Sequence, residues 1–322
     1  MTLASHIKTS IGRIARLATG TALGLGLTVS LLGSPGHAFA QAAAPTAQRA
    51  VVPAQGQGPA LWVIRDADST LYLLGTVHVL RPETAWGTAK VDAAFDSADR
   101  VILEVSNPDD QAAIQPLIQQ YGISPDRPLS SLLTPAEITQ LDAAAQTIGA
   151  TAAQLDPLRP WLVGLSLSIA PLIKAGYDPQ SGVDAILKAR AEVAGKPVSG
   201  LETIDKQVSI LAGLSEETQL AFLRATLEEV ETATTELDAL VGAWATGDVA
   251  SIERLGVTEM RNQSEEIYQA LLVRRNTDWA GQIQTLLEGS GTVFIAVGSA
   301  HLAGDDSVQS ILEQRGVEVT RE

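Results

Sequence analysis

Two stretches more than two hundred residues apart constrain this chain more than anything else in it, because each is an apolar run that ends in Gly-x-x-His. Leu71-Tyr72-Leu73-Leu74 leads into Gly75-Thr76-Val77-His78, and Thr292-Val293-Phe294-Ile295-Ala296-Val297 leads into Gly298-Ser299-Ala300-His301. Short apolar runs bounded by turn residues read as buried strands. A glycine at the end of such a strand lets the backbone turn sharply, leaving the next polar side chain at the sheet's carboxyl edge. Open α/β sheets place their ligands at that edge. The chain has four histidines, His6, His37, His78 and His301. The first two fall in an amino-terminal leader, so both histidines of the remaining chain carry the motif. With glycine at roughly 7% of residues, two chance matches have odds of about half a percent. The pair therefore reads as a site, not as two core histidines that happen to come after strands.

Residues 1–40 have the pattern of a secretory signal. Lys8, Arg13 and Arg16 form a basic start, Leu17 to Leu32 an apolar stretch, and Ala38-Phe39-Ala40 a small-x-small cleavage site. Cleavage after Ala40 implies a periplasmic or secreted bacterial protein with no stable membrane insertion. Removing the three basic residues of the leader takes the net charge from −15 to about −18. Such a chain is expected to avoid nucleic acid and anionic lipid surfaces. Cysteine is absent, so any metal must be held by imidazole, carboxylate, carbonyl or water. Residues 41–59 form an Ala/Pro/Gln/Gly-rich flexible lead-in.

The rest, residues 60–322, suits one large domain. Leu61–Ile64 and Thr70–Leu74, separated by Asp66–Ser69, predict a β-hairpin that delivers the first motif. A helix over about 87–98 and a strand Val101–Val105 come next, a βαβ unit that should bring two parallel strands side by side. From about 107 to 290 the pattern is mostly helical. Thr134-Pro135-Ala136-Glu137 is a capping box with proline at the first helical position. Further helices are expected at about 160–175, at 183–194, after Ser215, and on to about Glu288, with a short strand 197–201 among them. After the second motif come a helix at about 306–315 and a last strand over 317–320. The fold class is α/β: a mixed, largely parallel central sheet built from both chain ends, with a helical insert.

Carboxylates near strand ends are the natural partners of the histidines. Glu104 ends an otherwise apolar strand, where a carboxylate is costly to bury unless paired or bound to metal. Glu202 comes after a short strand and precedes a helix; a place favoured by the helix dipole is its plainer explanation. Arg275-Asn276, placed between helices, could grip a carbonyl or carboxylate. Arg81 is a second candidate clamp, and Asp305 and Asp306 are expected to start a helix.

The LWVI…LYLLGTVHVL opening, VILEVS, SGLET, RRN and the closing stretch through VGSAHLAGDD to QRGVEV resemble the TraB/GumN family over nearly all of residues 60–322. That family includes the TIKI proteins, proposed metal-dependent proteases acting on secreted signalling proteins, together with TraB and PrgY of pheromone control and GumN-like proteins. It is similar at greater distance to erythromycin esterases and haem-associated ChaN proteins, and the resemblance implies an EreA/ChaN-like architecture. It also implies Gly75, His78, Gly298, His301 and Glu104 as family positions.

The chemistry expected on this basis is metal-dependent hydrolysis of peptide bonds in a peptide or protein substrate. His78, His301 and Glu104 would hold one divalent ion, with manganese, cobalt or zinc all suited to two imidazoles and a carboxylate. Glu104 or Glu202 would serve as general base, with Arg275 and Asn276 as polar partners of the reaction. Loss of the ion is expected as pH falls through roughly 6.5, the ordinary histidine value. Two alternatives share the same residues: a non-catalytic peptide- or signal-binding protein, and a haem protein of the ChaN kind.

Overall fold

The computed structural model describes residues 50–108, 110–228 and 233–322. The leader expected at 1–40, with His6, His37 and the cleavage site, and the first part of the lead-in lie outside these residues. Eight strands run in chain order: β1 (Val52–Pro53), β2 (Leu61–Arg65), β3 (Ser69–Thr76), β4 (Ala85–Gly87), β5 (Arg100–Val105), β6 (Val198–Glu202), β7 (Gly291–Gly298) and β8 (Val319–Arg321). Six of them form the central sheet in the order β6-β5-β7-β3-β2-β8, while β1 and β4 make a separate parallel pair.

The four strands β6, β5, β7 and β3 are mutually parallel, and β2 runs antiparallel to both β3 and β8. The sheet is thus mixed and largely parallel, and both ends of the chain build it, as the two motifs predict. One expectation is corrected. β3, the next helix α1 (Ala89–Ser97) and β5 do form a parallel unit, but β3 and β5 are not neighbours. Strand β7, from the far end of the chain, pairs with both and lies between them. Local spacing cannot reveal that insertion, because the intervening strand comes later in the sequence.

The period-2 pattern of the strands divides the core. Leu74, Val101, Leu103, Val105, Phe294 and Ala296 point to one face, whereas Leu71, Leu73, Ile102, Val293, Ile295 and Val297 point to the other. The first face carries α1 and the insert helices: α2 (Gln111–Tyr121), α3 (Pro135–Gln146), α4 (Pro160–Lys174), α5 (Val183–Val193), α6 (Ile204–Ala212), α7 (Glu216–Glu228) and α8 (Ala233–Ala245). The second face packs on α9 (Arg274–Leu287) and α10 (Val308–Gln314) through Trp279, Ala280, Ile283, Val308 and Leu312. The capping box at Thr134 and Glu137 forms as expected, with both reciprocal bonds present.

Two departures bear on the site. Helix α9 comes directly after a π-helical turn, Gln269–Val273, so Arg275 and Asn276 lie in the first turn of a helix and not in a link between helices. The extra residue per turn in a π segment rotates every turn after it, and a helical period read from sequence cannot anticipate that. Helix α10 starts at Val308 with Ser307 as its cap, so Asp305 and Asp306 do not begin it. Among the described residues no helix is long and apolar enough to cross a membrane.

Candidate functional site

The parallel register of β3 on β7 pairs Thr76 with Gly298, so the two motifs leave the sheet side by side at its carboxyl edge. Their glycines serve close approach, not the turn expected of them: Gly298 has an ordinary φ of −51° and Gly75 is not among the glycines of positive φ. A Cβ on Gly298 would lie 3.0 Å from Glu104 Oε1 and 3.3 Å from His78 Nε2. A Cβ on Gly75 would lie 3.2 Å from Ser299. Each motif's glycine makes room for the other half of the site.

Glu104 is the centre of that half. Its neighbours Leu103 and Val105 point to the first face of the sheet, so alternation sends Glu104 to the other, beneath α9. Oε1 accepts the backbone N–H of Gly298 at 2.7 Å, and it lies 3.8 Å from His78 Nε2 and 3.7 Å from His301 Nε2. Oε2 accepts from Arg275 Nη2 at 2.7 Å and from Gln207 Nε2 at 3.3 Å. Burial works against its charge. The charge of Arg275, with that of His78 and the Gly298 N–H, outweighs it and holds Glu104 below the usual carboxylate range.

Each imidazole is fixed through its Nδ1. His78 Nδ1 donates to Asp184 Oδ2 at 2.7 Å, and Thr76 donates its hydroxyl to the other oxygen of Asp184 at 2.9 Å. His301 Nδ1 donates to the amide oxygen of Asn276 at 2.5 Å, and Asn276 Nδ2 donates to the Asp306 carbonyl at 2.7 Å. An oxygen acceptor at each Nδ1 places the proton there and leaves Nε2 to face Glu104. The two rings then differ. His301 Nε2 accepts from Arg275 Nη1 at 3.0 Å and its ring packs against Trp279 at a tilt of 43°, centroids 4.4 Å apart. Burial, and then the charge of Arg275, push His301 down to about 3, so it is neutral. His78 Nε2 is buried with no hydrogen-bond partner. Burial opposes its protonation, yet the charge and hydrogen bond of Asp184, with Glu104 beyond, raise His78 to about 9.

Arg275 joins the parts. Besides Glu104 and His301 it donates from Nε to both oxygens of Glu202, at 3.2 and 3.0 Å, and from Nη1 to the Leu271 carbonyl at 3.2 Å. Burial disfavours its charge, but Glu104 and Glu202 more than offset that and raise its pKa. Glu202 is held by Arg275, with Lys206 Nζ at 3.7 Å.

His78, Glu104, Glu202, Arg275, Asn276 and His301 therefore meet in one buried network. Arg81 stands apart: its guanidinium pairs with Asp238 at 2.5 Å and lies over the Tyr177 ring. Asp306 accepts from the Tyr268 hydroxyl at 2.5 Å. Sequence reading missed Asp184, Thr76 and Gln207. Asp184 sits in the first turn of α5, where helix-dipole stabilisation already accounts for an aspartate. The signal was Gly182 before it. A Cβ there would stand 2.1 Å from the His78 carbonyl oxygen, so glycine alone lets α5 start against the motif.

As a metal centre the donor set fits in part. An imidazole whose Nδ1 bonds to a carboxylate while its buried Nε2 lacks a partner has the arrangement of a metal-binding histidine, and Glu104 Oε1 faces the same point. His301 Nε2 has its lone pair taken by Arg275. Among the described residues no three His, Asp or Glu side chains stand already spaced to hold an ion. Arg275 Nη1 would have to withdraw before His301 could join.

Known proteins share this chain's sequence over most of its length. An "Uncharacterized protein" of Treponema pallidum (strain Nichols) is 23% identical over 268 residues, covering 79% of this chain and 80% of the relative. "Uncharacterized protein YbaP" of Escherichia coli (strain K12) is 23% identical over 256 residues, covering 79% of this chain and 92% of its own, and its Shigella flexneri counterpart matches to the same extent. No solved structure matches. The model of the TraB/PrgY/gumN family matches residues 60–321, from the first strand of the hairpin to the last strand of the sheet. The chain belongs to the TraB/PrgY/gumN family.

Proposed function

We propose that the chain is an exported hydrolase of peptide bonds in which Nε2 of His78 is the working atom, assisted by a divalent ion beside Glu104. One observation carries this reading: His78 is fixed at Nδ1 by Asp184, while its buried Nε2, facing the Glu104 carboxylate at 3.8 Å, has no hydrogen-bond partner. A polar atom so oriented and left unsatisfied is costly in a structure that needs it only for stability. Where the ring is neutral, above about pH 9, a held imidazole with a free Nε2 is equally the arrangement of a general base.

His78 Nε2 and Glu104 Oε1 would hold the ion as they stand, with His301 as a third ligand once Arg275 Nη1 moves away. When bound, a divalent ion supplies a water of lowered pKa and polarises the scissile carbonyl. The remaining work falls to the chain. Glu104, kept ionised by Arg275, is a weak base and a strong negative partner, which favours a ligand or electrostatic role over proton transfer. While the ion is bound, His78 has Nε2 on it and its Nδ1–H on Asp184, and so serves as a ligand; without the ion the same Nε2, neutral above about pH 9, is the atom that would take a proton from water and return it to the leaving amine. Arg275 Nη1, which bonds His301 Nε2 at 3.0 Å, could steady a developing oxyanion once it leaves that nitrogen. Glu202 serves to hold Arg275, not to meet the substrate. Because His78 is raised to about 9, protons compete with the ion from that value downward and not from 6.5, so metal affinity should climb up to about pH 9.

The test is a panel of His78→Ala, His301→Ala, Glu104→Gln and Glu202→Gln, scored for bound metal and for cleavage of an unbiased peptide library. We expect His78→Ala to lose both metal and turnover. Glu104→Gln should weaken metal and lower turnover by roughly a hundredfold or more. Full metal content and full activity in both histidine variants would sink the hydrolase reading. The binding-module reading, favoured by Arg275 seated on His301, would then take its place. Export is tested by amino-terminal sequencing of protein from cell fractions, with Gln41 the expected start.

A further inference from the structure

Beside the buried network lies a cavity of about 310 Å³, whose wall carries the charged residues Lys206, Glu266, Arg274 and Arg275. It shares Arg275 with the network, and Lys206 approaches Glu202 at 3.7 Å. The volume is at the lower end of the range for small-ligand sites. The wall is two-sided in character. Ile210, Leu214 and Ala270 are apolar, and three of the four charged residues are cations, in a chain whose net charge is −15.

The charges are not equally occupied. Lys206 Nζ bonds Asp278 at 2.6 Å, and Arg275 is engaged by two carboxylates. Glu266, the one acid of the wall, accepts the Ser215 N–H and hydroxyl at 2.7 Å each and the Thr218 hydroxyl. Arg274 is exposed and feels the charge of Glu266, but among the described residues no hydrogen bond or ion pair holds its guanidinium. Five donors in a planar fork at a half-apolar cavity suit a carboxylate, which such a fork grips with two parallel bonds.

We propose that this cavity binds the carboxy-terminal end of a peptide, with the free carboxylate on Arg274 and an apolar last side chain against Ile210, Leu214 and Ala270. The proposal deepens the hydrolase reading by naming a substrate class, and in that respect it rests on it. A carboxy terminus meets both halves of the wall at once. A free phosphate would use only the cations, and an internal peptide segment would leave Arg274 without a partner.

The experiment measures binding on the wild-type chain kept free of divalent ions by EDTA, so that its outcome does not depend on turnover and Arg275 keeps both its carboxylates. The probes are N-acetyl-Ala-Ala-Leu as free acid and as carboxamide, with inorganic phosphate as competitor. The free acid should bind about tenfold or more tightly than the amide. Arg274→Gln, an exposed change, should abolish that preference and leave amide binding as it was. Excess phosphate should compete poorly, since it cannot use the apolar wall. Equal binding of acid and amide, absence of binding by either, a preference that survives Arg274→Gln, or displacement by phosphate at the peptide's own concentration would each overturn the proposal. Cleavage of the same peptides by the wild-type chain separately reports on the hydrolase reading. The cavity can therefore stand if catalysis fails, and catalysis can stand if the cavity does not select carboxy termini.

Discussion

Arg275 is the residue on which the buried charges turn. It is the common partner of Glu104, Glu202 and His301, all of them buried. Removing one member of a buried charge pair leaves the other uncompensated, a loss on the order of 3–5 kcal/mol. Arg275→Met should therefore destabilise the fold by about that amount, read as a lowered urea midpoint, whereas Arg275→Lys keeps the charge but cannot reach all three partners and should fall between. The histidines add a pH signature. The folded-state pKa of His78 is raised from 6.5 to about 9, so its pairing with Asp184 contributes stability that is full below 6.5 and is lost as pH rises toward 9. His301 is depressed to about 3, so its contribution is present above 6.5 and lost as pH falls from there toward 3. For His78→Gln, the stability gap from wild type should shrink between pH 6 and pH 9.5 by on the order of 1–3 kcal/mol. A gap constant with pH would show that His78 keeps its ordinary pKa in the folded protein, and a gap that widens with pH would show that it is already neutral there at pH 6.

At the scale of elements, the site depends on how closely backbone segments approach, and this is where sequence and structure diverge. Gly182 illustrates it: Val183 N–H donates to the Val77 carbonyl at 3.0 Å, and a Cβ on Gly182 would be driven into the carbonyl of His78. Gly182→Ala must push α5 away from the first motif and take Asp184 from His78. We expect lower thermal stability and loss of the high-pH dependence that His78 confers, measured by the same unfolding series; an alanine variant with both features intact would contradict this placement. The two Gly-x-x-His strands, the hairpin of β2 and β3, and the insert helix caps were legible because each is written in a local pattern of period and punctuation. Glu104 was legible too, since a carboxylate in an apolar strand is itself an anomaly. Asp184 was not, because an acid in a helix's first turn needs no further reason, and its partner lies more than a hundred residues away. The position of Arg275 within α9 was hidden by the π turn before it, which changes the phase of the helix without changing its composition.

At the scale of the molecule, the sheet closes a long chain on itself. β7 lies between β3 and β5, with eight register pairs to the first, from Ser69–Gly291 to Thr76–Gly298, and four to the second. The centre of the sheet therefore comes from the last part of the chain, and neither histidine has its setting until that strand is in place. The carboxy-terminal end is different in kind: β8 is a three-residue edge strand bonded only to β2, with Arg321 donating to the Gly247 carbonyl and Glu322 N–H to the Leu61 carbonyl. Two truncations separate these roles. A chain ending at Ser290 loses β7 and leaves β3 and β5 with open edges facing each other, so it should show no cooperative unfolding transition and rapid digestion by protease. A chain ending at Arg315 keeps β7, His301 and α10, and loses only the edge. It should unfold cooperatively at a lower temperature, keep the pH dependence set by His78, and self-associate more readily, because β2 then presents an uncovered strand edge beside Trp62 and Ile64. Should the chain ending at Ser290 fold as well as the one ending at Arg315, the sheet would not depend on β7, and the pairing of the two histidines across it would have no structural basis.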